Sequence, residues 1–132
     1  MKIAAALGLI VAVVAVGVLT FIYSGVYDIA ATTPHFAVTH RVLRTVMEQS
    51  VKRQARDVKV PELDDPEKVH TGFKGFSEMC VVCHGAPGSA PSEISKGLYP
   101  QAPNLAQAAK DWTPAELYVI IKRGIKMSGM PA

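Results

Sequence analysis

The sequence predicts an all-α chain, with a single membrane-spanning helix followed by a small helical domain. Three observations lead there. From Ile3 to Tyr23, "IAAALGLIVAVVAVGVLTFIY", no residue is charged over 21 positions. Further on, apolar residues recur at helical spacing behind Thr or Asp caps, each followed by Pro. No run of alternating or β-branched strands precedes the segment "FSEMCVVCHG".

A helix over residues 3–23 covers roughly 30 Å, the thickness of a hydrocarbon core. A cleaved secretory signal has a shorter apolar core and ends at small residues in an A-x-A pattern. Here the exit reads "TFIYSGVYD", with Phe21, Tyr23 and Tyr27 where interfacial aromatics belong. Residues 1–24 are therefore expected to be an uncleaved anchor. Lys2 is the one side-chain cation before the span, whereas Arg41, Arg44, Lys52, Arg53, Arg56 and Lys59 follow it. Positive-inside counting reaches only about 15–20 positions past a span, so Arg41 stands at its margin.

Residues 25–64 read as an amphipathic helix and a linker. In "ATTPHFAVTHRVLRTVMEQS" Thr33 is a good N-cap and Pro34 suits the first helical position. Phe36, Val38, Val42, Leu43, Val46 and Met47 share one half of the wheel, and Arg41, Arg44, Glu48 and Lys52 the other. The stripe fails after Ser50, where Arg53 and Arg56 come round to the apolar side. Two placements fit: on lipid headgroups, or packed on the following domain or a partner subunit. "VKVPELD", from Val58 to Asp64, reads as an extended linker.

Residues 65–132 form the domain proper. Asp65 caps a helix, Pro66 opens it, and Val69, Phe73, Phe76 and Cys80 follow at helical spacing. Gly72 allows close approach of another helix. After His84 the stretch "GAPGSAPSEISKGLYPQAPNL" has no clear period and reads as a loop wrapped around a flat group. "WTPAELYVIIKRG" is a compact helix: Thr113 caps, Glu116 completes a capping box, and Gly124 stops it. Its buried face is expected at Leu117, Ile120 and Ile121, with Trp112 in the core.

The chemistry is concentrated at Cys80, Cys83 and His84, which hold the chain's two cysteines. A thioredoxin-like Cys-x-x-Cys pair wants a βαβ context that is missing. A structural zinc site wants four ligands, and only scattered His35, His40 and His70 remain. The third reading is c-type haem attachment, with two thioethers and His84 on the iron. "GIKMSGMPA" then offers Met127 and Met130 as sixth ligands, in a glycine-rich loop where neither reads as a core filler.

Taken together, Gly-x3-Phe-x3-Cys-x-x-Cys-His, "GLYPQAPNL" and "TPAELYVIIKRGIKMSGMPA" resemble a class I c-type cytochrome. More narrowly, the chain is similar to bacterial membrane-anchored mono-haem cytochromes c, over about residues 66–132. The resemblance implies one covalent haem c on Cys80 and Cys83, with His84 proximal and Met130 distal; Met127 is the runner-up. It also implies that the Pro103 carbonyl accepts a hydrogen bond from His84 Nδ1. Haem attachment of this kind places everything after Ser24 outside the bacterial inner membrane, in the periplasm. In that family a C-terminal helix follows the methionine loop and crosses the haem helix. This sequence ends at Ala132 without it, so further residues or a partner helix are expected on Gly72, Phe73 and Phe76.

The function these readings converge on is single-electron transfer between respiratory or dehydrogenase partners, within a multi-subunit membrane complex, rather than catalysis. Membrane lipid is a further contact. Two alternatives stay open: a haem-based sensor or small haem enzyme with an exchangeable distal ligand, and a bridging structural subunit of a larger redox complex. The formal charge is +3, residues 41–59 are basic and residues 60–132 nearly balanced, which argues against nucleic acid.

Overall fold

Sequence and structure agree first on the apolar run. Lys2–Tyr23 forms one uninterrupted helix, α1, of 22 residues, none of which is buried. It is long and apolar enough to cross a membrane. The structure is a computed structural model; it describes residues 2–132 and contains no strand among them. Two units divide at Thr33 and Pro34.

In the first unit, the chain leaving α1 is tied by short-range bonds. Ser24 Oγ donates to the Phe21 carbonyl at 2.8 Å, and the Phe21 and Tyr27 rings meet edge-on. Asp28 Oδ1 accepts from the Ala30 N–H at 2.8 Å, and Oδ2 from the Thr33 hydroxyl at 2.7 Å. These bonds hold the Asp28 carboxyl below its ordinary pKa, the Ala30 amide contributing most.

That use of Thr33 corrects one expectation. Its hydroxyl serves Asp28, and the second helix, α2 (Ala37–Ala55), starts behind Phe36 without a side-chain cap. Nor does α2 fail at Ser50. It runs on to Ala55, and its buried residues are Val51 and Ala55. With half-buried Leu43 and Met47 they form an i, i+4 row, whereas Phe36, Val38, Val42 and Val46 are exposed. The row packs on the last helix, α7 (Pro114–Arg123). Of the two placements open at the sequence level, packing on the following domain is the one observed.

α7 carries its signals as expected. Thr113 Oγ1 accepts from the Glu116 N–H while Glu116 Oε2 accepts from the Thr113 N–H, which closes the capping box. The buried residue, however, is Val119 at 5% exposure, and Ile121 points outward. The α2 seam selects the Val119 side, so the face is rotated from the Leu117–Ile121 reading. Val51, Ala55 and Val119 are the buried apolar residues among those described. The linker from Val58 to Leu63 runs against Pro114 and Tyr118 and leaves a cavity of about 110 Å³.

Helix α3 (Pro66–Gly75) is capped by Asp65, whose Oδ1 accepts from the Glu67 N–H at 2.9 Å. It continues through a π-helical turn (Phe76–Cys80) into α4 (Val81–His84). The long stretch read as loop contains two short helices. Ser92 caps α5 (Glu93–Gly97) and Asn104 caps α6 (Leu105–Ala108), followed by a 3₁₀ turn (Ala109–Asp111). Phe73 and Val69 are exposed, and a methyl group on Gly72 would meet open space.

Glu116 makes a pH dependence testable. Its pKa is lowered by the Thr113 amide and hydroxyl, with Lys52 adding in the same direction. A depressed carboxylate stabilises fully above the ordinary glutamate value, and that stabilisation is lost as pH falls through the lowered one. Thermal unfolding of the Glu116→Gln variant is therefore expected to vary less with pH across the acidic carboxylate range than wild type.

Candidate functional site

Cys80, Cys83 and His84 sit at the end of one continuous helix, and local backbone chemistry puts them there. At Phe76–Cys80 the helix widens to a π turn, with the Val81 N–H bonding the Phe76 carbonyl five residues back. An extra residue in a turn rotates everything beyond it by about 100° relative to a plain α-helix. Gly85 then ends the helix at φ +73°, its N–H bonded to the Val81 carbonyl at 2.9 Å. Cys80, Cys83 and His84 are all half-buried, and the two cysteines are not bonded to each other.

His84 has one defined partner. Its Nδ1 lies 2.9 Å from the Pro103 carbonyl oxygen, across 19 residues of chain. A carbonyl oxygen only accepts, so the bond requires a proton on Nδ1 and leaves the Nε2 lone pair free to bind a metal. An acceptor behind the ring fixes the tautomer and raises ligand basicity. Asn104, directly after Pro103, fixes this stretch by accepting from the Ala106 N–H through Oδ1 at 2.9 Å.

The two methionines are held differently. Met127 is 71% exposed and takes the left-handed conformation, φ +64°. Met130 is half-buried inside a closed loop. The Ile125 N–H donates to its carbonyl at 3.1 Å, and its own N–H donates to Ser128 Oγ at 3.2 Å. Ser128 Oγ in turn donates to the Ile125 carbonyl at 2.7 Å. The loop closes against Gly124, where a Cβ would lie 2.6–2.7 Å from the Met130 oxygen and the Pro131 carbonyl group.

Other residues near these segments have contacts that the sequence does not show. The Leu98 side chain abuts Gly129, where a Cβ would lie 2.6 Å from Leu98 Cδ2. The Tyr99 hydroxyl accepts from the His35 backbone N–H at 2.9 Å, with the two rings 5.3 Å apart. His35 thus meets the stretch that leads to Pro103. Among the described residues, no three His, Cys, Asp or Glu side chains converge on one point.

An imidazole whose Nε2 lone pair is left available, two unpaired thiols one helical turn apart, and a closed methionine loop fit a c-type haem. They place the chain in the class of c-type cytochromes. The family model described as cytochrome c oxidase, cbb3-type, subunit III matches residues 67–132, half of the chain, and the chain belongs to that family. The matched region is a class I c-type cytochrome domain, which implies haem c and an electron-transfer role. No curated protein and no solved structure matches this chain.

Gly124 gives a direct test of the loop geometry. Its φ of +63° and ψ of −173° belong to a region reserved for glycine, and the Met130–Pro131 backbone leaves no room for a methyl group. Gly124→Ala is expected to destabilise the protein by about 1–3 kcal/mol, read as a lower midpoint in denaturant unfolding.

Proposed function

We propose that this chain is a membrane-tethered mono-haem cytochrome c that passes single electrons between protein partners on the periplasmic face of a bacterial inner membrane. The observation that carries the reading is the His84 Nδ1–Pro103 bond beside Cys80 and Cys83. It presents an imidazole already in the tautomer a proximal ligand needs. In this reading Cys80 and Cys83 form the two thioethers, His84 is the proximal ligand and Met130 the distal one. When bound, haem supplies reversible one-electron chemistry. The chain's own contribution is to hold. Two thioethers secure the group, Pro103 fixes the ring of His84, and the closed loop presents Met130 rather than exposed, strained Met127.

With His84 and Met130 both taken up in holding the group, haem would serve here as an electron relay rather than as a catalyst. A thioether ligand also raises the reduction potential. α1 is supported as an anchor by its length, its apolar surface on every side and its aromatic exit. The partners proposed are subunits of a multi-subunit respiratory complex, in keeping with the oxidase-subunit description of the family.

Four measurements check this. A pyridine haemochrome spectrum should show one haem c per chain, resistant to acidic acetone. In ferric protein the weak red methionine–iron band should vanish in Met130→Ala and persist in Met127→Ala; the reverse result assigns the role to Met127. Intact mass should retain residues 3–23. Mild detergent extraction should bring down the partner subunits together with this chain.

A further inference from the structure

We propose that α2, which lies outside the matched residues 67–132, is the brace that holds the Met130 loop in place, with Val51 and Ala55 as positioning residues. This rests on the reading of Met130 as distal ligand. The connection runs in short steps. Val51 at 4%, Ala55 at 8% and Val119 at 5% exposure form the seam between α2 and α7. Beside it, Arg123 Nη1 donates to Gln54 Oε1 at 2.6 Å. Arg123 is the last residue of α7, and Gly124 follows directly.

Gly124 is the surface on which the loop rests. Its α-carbon abuts the Met130 carbonyl and the Pro131 backbone, and the next amide, Ile125 N–H, donates to the Met130 oxygen at 3.1 Å. α7 is therefore tied to α2 at its final residue and carries the methionine loop on the residue after. A ten-residue helix has little stability of its own and takes its orientation from what it packs on. Charge acts in the same sense: Lys52 of α2 adds to the lowering of the pKa of Glu116, in the first turn of α7. His84 is held through a bond to Pro103 that includes no residue of α2 or of the methionine loop, although Leu98 of the same stretch abuts Gly129. Disturbing α2 should therefore loosen the distal ligand and leave the proximal one in place.

The test uses the full-length haem-loaded chain in detergent, with the methionine–iron band and imidazole titration of the ferric form as readouts. Val51→Asp buries a carboxylate against Val119. It should abolish the band and admit imidazole, with haem still attached. Val46→Asp, on the exposed side of α2, should behave as wild type. Gln54→Lys sets like charge against Arg123 and should tighten imidazole binding about two- to fivefold, the size of an exposed ion pair, while Gln54→Glu should weaken it.

A Val51→Asp protein with wild-type band and imidazole affinity overturns the proposal, as do equal affinities in the two Gln54 variants. If Val51→Asp takes up no haem, the Gln54 pair decides: opposite shifts support the brace and equal affinities overturn it. A wild-type chain lacking the band overturns the ligand reading and this inference together. A wild-type band that survives Val51→Asp overturns this inference alone.

Discussion

Three small side chains, Val51, Ala55 and Val119, hold α2 and α7 together, and much of the order of the second unit follows from their contact. Their size is the point. Valine and alanine let two helix backbones approach closely, and a stiff β-branched residue on each side loses little rotamer freedom there. The seam selects which face of α7 is inward, turns Ile121 out, and brings Arg123 to Gln54. It also fixes where the chain emerges from α7, which is where the methionine loop begins.

The His84 side is built on a different principle, a hydrogen bond between the ring and a proline carbonyl. Proline is suited to this because it has no N–H of its own to compete and its φ is locked, so its carbonyl direction varies little. The His84 and Met130 segments thus have different main supports, one of backbone hydrogen bonding and one of helix packing, and they meet where Leu98 abuts Gly129.

Local signals were legible in the sequence and distant ones were not. The apolar run, the Asp65 cap, the Thr113–Glu116 box and the Gly124 stop all depend on residues within a turn of one another, and each stands where its chemistry predicts. Thr33 misled because an Asx-type partner, Asp28, outcompeted the helix for its hydroxyl. The α2 stripe was misjudged for a similar reason. Its N-terminal valines are the more apolar, but the α7 contact falls on the row that ends at Val51 and Ala55, where charged neighbours obscured the pattern. Short helices inside the Gly- and Pro-rich stretch were missed because each is only four or five residues long, too brief to show a period. The Cys80, Cys83 and His84 cluster is legible from spacing alone, and the structure places the three at the end of one helix. The pairing of His84 with Pro103 rests on family resemblance, because the two stand 19 positions apart in the sequence.

The π turn at Phe76–Cys80 makes the haem helix sensitive to length rather than to composition. Many side chains can occupy an exposed position there without altering the backbone path, Met79 among them. Removing a single residue is another matter. The turn would tighten to ordinary α geometry, and Cys83 and His84 would swing about 100° around the helix axis, away from Pro103. Variation in this segment is therefore expected as exchange of residues at constant count, with the spacing between Gly72 and Cys80 behaving as a fixed phase.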